Sequence, residues 1–193
     1  MQEPGPQAPR RPRRLGLLFG VAAAVFAVDV ITKIIVVATL APGRQVQVIG
    51  TLLTLDLVRN SGAAFSFGPG MTILFTLIAV GVIIFIVRTS RRLRSLAWAV
   101  TLGLLLGGAA GNLTDRLLRS PGVFRGEVVD WVQLPHWPVF NVADSCIVCG
   151  GILAVLLAAR GIRLDGTREV RATGSEDAPR GTAGGPQAGD SQT

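Results

Sequence analysis

The sequence predicts an all-α polytopic membrane protein, with four transmembrane helices and a small extracytoplasmic β element. Only 16% of its 193 residues are charged, whereas soluble globular chains average about 25%. The mean hydropathy is +0.51. Four apolar segments approach the length of roughly 20 residues that a helix needs to cross a bilayer. These features together indicate a membrane protein.

The four predicted spans cover residues 15–40, 71–87, 95–118 and about 139–159. The second contains no charged residue, and a helix of that length rises roughly 26 Å, just enough to cross a bilayer. The first follows the basic stretch RRPRR, which also fits a secretory signal peptide. However, its apolar character resumes after Lys33 and completes a full span. A retained first helix is therefore favoured over a cleaved leader.

Basic residues predict how the chain is oriented. Thirteen of the 19 lie in three clusters that flank the spans, at residues 10–14, 88–94 and 160–180. Cytoplasmic loops of membrane proteins carry an excess of Lys and Arg. Both termini and the 88–94 loop are therefore predicted to be cytoplasmic. The clusters contain no aromatic residues, so we expect no nucleic-acid partner.

The predicted organisation has three parts. Residues 1–14 form a basic cytoplasmic N-terminus, 15–160 a four-span membrane domain, and 161–193 a polar tail with too few apolar residues to fold. The stretch LTLDLVR at 53–59 alternates apolar and polar residues, the period of a half-buried strand. We expect it to form the β element on the outer surface.

Depth along the spans predicts a layer of polar residues near the outer boundary. Counting from the helix ends brings side chains of three spans to one level. A loop before the fourth span adds one more. The layer contains Asp29, Lys33, Asn112, Asp115, Arg116, Asp130 (the loop residue), Asn141 and Asp144. Ionisable residues within membranes are rare, and they indicate functional sites by default.

Each residue of this layer also has a structural interpretation. Asp29 and Lys33 have the i, i+4 spacing of a simple ion pair, and the asparagines suit interhelical hydrogen bonds. Asp144 is the hardest to explain structurally, because no basic residue lies within four positions of it.

Two further patterns are predicted to be structural. Gly103, Gly107 and Gly111 repeat every four residues, which lets another helix approach closely. Cys146 and Cys149 form one CxxC pair, but with a single His in the chain they cannot complete a zinc site. We expect no metal and no cofactor.

Two carboxylates at an apolar boundary suggest the chemistry of aspartic proteases. Like charges held close together cannot both ionise, so one acid keeps a proton while the other activates water. The sequence has no HExxH motif and no phosphate-binding glycine loop, which would indicate a different catalytic mechanism. A small transporter using the same layer as an ion path, or a non-catalytic scaffold, remains an alternative at this point.

Five motifs in order resemble those of the lipoprotein signal peptidases, the type II signal peptidases of bacteria. They are DVITK at 29–33, RNSGAAFSF at 59–67, GNLTDR at 111–116, VVDW at 128–131 and FNVADS at 140–145. The resemblance covers roughly residues 15–160. It implies a membrane endopeptidase that cleaves prolipoproteins before a diacylglyceryl-modified cysteine. It also implies contact with membrane lipids, inhibition by globomycin-type compounds, and a location in the bacterial inner membrane with an extracytoplasmic active site.

By the same resemblance, Asp130 and Asp144 are the catalytic dyad. The residues implied to support catalysis or to position the substrate are Asp29, Lys33, Asn60, Gly62, Asn112, Asp115, Arg116 and Asn141. The sequence departs from the family pattern in a longer stretch at 117–127 and in Trp131, where Phe is usual.

Overall fold

A computed structural model of the chain describes residues 12–62 and 71–168. Its four long helices are α1 (Leu15–Thr39), α2 (Met71–Thr89), α3 (Leu96–Leu118) and α4 (Val142–Ala159). Three strands complete the fold: β1 (Val46–Ile49), β2 (Leu53–Asn60) and β3 (Val128–Gln133). All four helices are long and apolar enough to cross a membrane. The predicted fold class is confirmed.

Helix α3 lies at the centre of the bundle and packs against α1, α2 and α4. Its glycines allow this close approach. A Cβ on Gly107 would lie 2.6 Å from the carbonyl oxygen of Ala22 in α1, and one on Gly108 would lie 2.6 Å from that of Ala143 in α4. The predicted packing role of the glycine stripe is therefore confirmed for Gly103 and Gly107, which both face α1.

The outer faces of the other three helices carry large exposed apolar side chains. Ile31 of α1 is 55% exposed, Phe85 of α2 is 65% exposed and Val155 of α4 is 69% exposed. Apolar surface distributed along several helices in this way is rare on soluble monomers. Lipid contact explains it, because hydrocarbon does not penalise exposed aliphatic groups.

The three strands form one antiparallel sheet in the order β1-β2-β3. The strand predicted at 53–59 is confirmed as β2. Asp130, however, was predicted to lie in a loop, and this was wrong: it lies in β3, opposite Val58 of β2. Val129 of β3 packs with Leu57 of β2 and Val36 of α1, which attaches the sheet to the end of α1.

The predicted tail at 161–193 begins with a folded turn. The carbonyl oxygen of Leu164 accepts hydrogen bonds of 2.9 Å from the backbone N–H groups of Arg94 and Ser95. Residues Ile162 and Arg168 pair across the turn. Residues 1–11, 63–70 and 169–193 lie outside the described residues. Most of the predicted N-terminus and tail falls there, so their assignment stays a prediction.

Candidate active site

Asp144 lies in the first turn of α4, in a capping box. Asn141 is the N-cap, and its Oδ1 accepts a 2.9 Å hydrogen bond from the backbone N–H of Asp144. In return, Asp144 Oδ2 accepts a 3.2 Å hydrogen bond from the backbone N–H of Asn141. A capping box satisfies N–H groups that a helix start leaves unpaired. It also holds the carboxylate of Asp144 where the helix dipole favours negative charge.

Asn141 also contacts the second predicted catalytic acid. Its Nδ2 donates a 2.6 Å hydrogen bond to Oδ1 of Asp130. The Asn141 side chain is completely buried, and Asp130 is only 1% exposed. One asparagine thus bonds to both carboxylates, Asp130 through its amide and Asp144 through its backbone N–H. The structure brings together the two acids that the sequence predicted to meet.

The end of β2 supports the other oxygen of Asp130. Asn60 Nδ2 donates a 2.8 Å hydrogen bond to Asp130 Oδ2. The Oδ1 of Asn60 accepts a 2.8 Å bond from the backbone N–H of Gly62, which fixes the orientation of the amide. Gly62 has a φ of +98°, a conformation open to glycine but not to most other residues. A Cβ there would also lie 3.1 Å from the Phe75 ring.

Asn112 of α3 links Asp144 to Lys33. Its Nδ2 donates a 2.8 Å hydrogen bond to Asp144 Oδ1. Its Oδ1 accepts 3.0 Å and 3.2 Å bonds from Lys33 Nζ and Asn141 Nδ2. Because an ammonium group can only donate, Lys33 forces the carbonyl end of the amide toward itself. The NH₂ end must then face Asp144.

Lys33 belongs to a buried cluster of alternating charges. Its Nζ lies 2.8 Å from Asp29 Oδ2 and 2.9 Å from Asp115 Oδ2. Arg119 pairs through Nε with the remaining oxygen of Asp115. Two acids and two bases make the cluster neutral, which limits the cost of burying them. The predicted i, i+4 pair of Asp29 and Lys33 therefore exists, but as part of a larger network.

This cluster also positions the two elements that carry the acids. Asp29 Oδ1 accepts a 2.9 Å hydrogen bond from the backbone N–H of Ala143, next to Asp144 in α4. Asp115 Oδ2 accepts a 3.2 Å bond from the backbone N–H of Val129, next to Asp130 in β3. Asp29 and Asp115 thus support the site without contacting either acid.

Sequence reasoning missed three contributors. Arg119 was not singled out in the sequence, although its i, i+4 spacing from Asp115 is a usable signal. The backbone N–H of Ala143 carries no signal in its residue type. Gly111 was assigned to helix packing, and a Cβ there would in fact meet the carboxylate of Asp29.

Burial, and after it the nearby charge of Asp144, raise the pKa of Asp130 to about 6. The hydrogen bonds from Asn60 and Asn141 and the charge of Lys33 act the opposite way. An acid with a pKa near 6 can hold a proton close to neutral pH. A protonated acid beside an ionised one is the arrangement needed to activate a water and protonate a carbonyl.

An apolar cavity of about 500 Å³ opens beside Asp144, one of the two acids. Its walls come from α2, α3 and α4, with Phe75, Val82 and Ile147 among the apolar residues. Asn112, Arg116 and Asp144 form its polar end. The Arg116 guanidinium lies 5.5 Å from the centre of the Phe75 ring. The buried Nη1 of Arg116 has no hydrogen-bond partner among the described residues, so it can donate to a bound molecule.

The sequence and the fold match known proteins over most of the chain. Residues 21–160 match the family model described as signal peptidase (SPase) II. The chain is 57% identical to a lipoprotein signal peptidase of Rhodococcus jostii (strain RHA1), over 86% of each protein. It is 52% identical to one of Streptomyces coelicolor, over 84% of this chain and 79% of the relative.

Two solved structures, both described as a bacterial membrane enzyme, share the fold. The first has a TM-score of 0.68 at 30% identity, and the match covers 78% of this chain and 97% of the chain in that structure. The second has a TM-score of 0.71 at 29% identity, and the match covers 85% of this chain and 100% of the chain in that structure. On this evidence the chain belongs to the signal peptidase II family, the lipoprotein signal peptidases, and is a multi-span bacterial membrane protein with aspartic peptidase activity.

Proposed function

We propose that the protein cleaves diacylglyceryl-modified prolipoproteins immediately before the lipidated cysteine, using Asp130 and Asp144 as its catalytic pair. Family membership supports prolipoproteins as substrates and lipids as surroundings. The observation that carries the dyad is the contact of one buried residue, Asn141, with both carboxyl groups. Bonds to one residue hold the two acids in the same part of the site, as the sharing of one water requires.

The surroundings of the two acids suggest different roles for them. Asp144 lies at a helix N-terminus, and hydrogen bonds from Asn112 and Asn141 fix the orientation of its carboxyl oxygens for the role of general base. Asp130 has a raised pKa and therefore carries the shared proton. Asp144 takes a proton from water as the water attacks the scissile carbonyl, while Asp130 donates its proton to the carbonyl oxygen. The resulting tetrahedral intermediate collapses as the amine leaves with a proton from the pair.

The cavity beside the acids suits a substrate that is half lipid. Its apolar walls accept hydrocarbon, and its polar end presents Arg116 to a carbonyl or ester oxygen. The lipid anchor then holds the scissile bond at the depth of Asp130 and Asp144. This explains why two acids stand at an apolar boundary despite the cost of placing them there.

The distribution of charge supports an orientation for the site. The arginine clusters that end α2 and precede α3 lie at the opposite end of the bundle from the two acids. By the positive-inside rule that end faces the cytoplasm. Both termini are then cytoplasmic, and the active site lies at the extracytoplasmic face of the bacterial inner membrane.

The test is processing of a diacylated prolipoprotein by the purified full-length protein. We expect Asp130→Asn and Asp144→Asn each to abolish processing while membrane insertion stays normal. Asp56→Asn is the matched control, because Asp56 lies in the same sheet and bonds to Gln45 instead of to the dyad. A globomycin-type inhibitor should block the wild-type reaction. Processing by either dyad variant would disprove the proposed pair.

A further inference from the structure

A second cavity lies at the end of the bundle far from the two acids. Its volume is about 590 Å³, within the range of roughly 300–1,000 Å³ found for small-molecule sites. Its walls come from the end of α2, the start of α3 and the end of α4. Phe85, Trp98, Leu102, Ala154 and Ala158 provide apolar surface, and Arg163 lies at its margin.

The cavity exists because of how the helices pack. Helices α2 and α4 both pack on α3 but have little contact with each other, which leaves a groove between them. Ala154 and Ala158 place only small side chains on the α4 wall. Phe85 is 65% exposed, so the cavity opens sideways toward the lipid. An acyl chain can therefore enter from the bilayer.

The turn at 161–168 closes this end of the groove. The indole N–H of Trp98 donates a 2.7 Å hydrogen bond to the carbonyl oxygen of Ile162. Leu164 packs against the core formed by α1, α2 and α3. These contacts fix the turn at the helix ends, and they place Arg163 at the margin of the cavity.

The same end of the molecule is strongly basic. The described arginines there are Arg13, Arg14, Arg88, Arg91, Arg92, Arg94, Arg160, Arg163 and Arg168. Within residues 12–62 and 71–168, Asp165 is the one acid at this end, and it interacts with Thr167 and with the charge of Arg163. A phosphate at Arg163 is opposed by the charge of Asp165 and attracted by the other arginines of this end.

We propose that this site binds one anionic phospholipid, with an acyl chain in the cavity and the phosphate against Arg163 and its neighbouring arginines. Basic pockets between helix ends bind anionic headgroups, because each basic residue near the membrane surface contributes attraction. The apolar walls, the lateral opening and the excess of arginine match the two halves of such a lipid. The proposal does not depend on the catalytic roles of Asp130 and Asp144.

The cavity shares Phe85, Leu102 and Leu105 with the cavity beside the acids. The apolar helix of a signal peptide is therefore the competing occupant. The two differ in charge: a signal peptide begins with basic residues, which the arginines repel, whereas an anionic headgroup is attracted.

Native mass spectrometry tests the proposal. The full-length protein is titrated with phosphatidylglycerol or with phosphatidylcholine of the same acyl chains. We expect one phosphatidylglycerol to bind with at least fivefold preference. Arg163→Gln should weaken that binding about fivefold, the effect of one basic residue, and leave phosphatidylcholine unchanged. Arg125→Gln, the same change in the loop between α3 and β3, is the control.

A second pair of variants tests the cavity. Ala154→Phe fills the cavity and should abolish binding of the lipid. Ala159→Phe should leave that binding unchanged, because Ala159 follows the cavity residue Ala158 but does not line the cavity. Three results would each overturn the proposal: equal binding of the two lipids, unchanged binding in Ala154→Phe, or displacement of the lipid by a synthetic signal peptide at stoichiometric amounts. Competition by glycerol phosphate as strong as by the whole lipid would also overturn it, since the acyl chain would then have no site.

Discussion

Replacing Asn141 should move the pH dependence of catalysis. The Asn141 amide bonds to Asp130 at 2.6 Å and lowers the pKa of that acid, which burial and Asp144 raise to about 6. A hydrogen bond to a charged group contributes about 1.5–3 kcal/mol, and one pKa unit corresponds to about 1.36 kcal/mol. Losing the bond should therefore raise the pKa of Asp130 by about one to two units.

The direction of the change follows from the role of Asp130. In wild type, kcat/KM should fall as the pH rises through about 6, because Asp130 then loses the proton that it donates. A higher pKa keeps Asp130 protonated up to a higher pH. The alkaline limb of the pH profile of kcat/KM should therefore move up by about one to two pH units in Asn141→Ala. The plateau should fall roughly 10- to 100-fold, because the two acids lose their common partner.

Asn141→Ser separates catalysis from stability. Serine is a good N-cap, so it keeps the hydrogen bond to the backbone of Asp144 but cannot reproduce the reach of the amide to Asp130. Asn141→Ala should lose about 1 kcal/mol of stability with the cap, and Asn141→Ser should not. The assay is kcat/KM on a lipidated peptide between pH 4 and 9. An alkaline limb that stays near pH 6 or moves down in both variants would refute the reasoning.

Three further predictions concern the buried contacts. Lys33→Met should destabilise the protein by about 3–5 kcal/mol in detergent unfolding, because it leaves Asp29 buried without its cation and Asp115 with Arg119 alone; a loss below 1 kcal/mol would contradict this. Gly107→Leu should lower the unfolding temperature, since its Cβ would lie 2.6 Å from a backbone oxygen of α1, whereas Gly151→Leu, with open space around it, should not. Arg116→Gln should raise KM for the lipidated substrate more than it lowers kcat, because the buried Nη1 is available to bind substrate; an unchanged KM would contradict that role.

Much of the fold could be predicted from local sequence. The four spans came from apolar runs, and their helices begin and end within a few residues of the predicted limits. Strand β2 was predicted from the alternation of apolar and polar residues along 53–59. Strand β3 could not be found in this way, because VVDWVQ starts with two adjacent valines that are both buried. Its pairing with β2 decided the structure of that segment.

The candidate site was predicted as a set of residues at one depth, and the structure brings that set together. Apart from the i, i+4 pair of Asp29 and Lys33, the pairings within the set were not predicted. Lys33 contacts Asp115 and Asn112 of α3 in addition to its local partner Asp29. Asn141 falls within the fourth span predicted at about 139–159, but it is the N-cap of α4 instead. Whether Asp130 and Asp144 perform catalysis stays a prediction for the variants above.

The sequence by itself determined which segments enter the membrane, which end of the bundle is basic, and which polar residues share a level. These properties follow from hydrophobicity and helical rise, which depend only on neighbouring residues. Only the tertiary structure decided which donor meets which oxygen. A hydrogen bond requires atoms about 3 Å apart, and the approach of α1, α4 and β3 to α3 sets that distance between residues far apart in the chain. Asn141 bonds to Asp144 within the start of its own helix, but it reaches Asp130 only because α4 and β3 meet there.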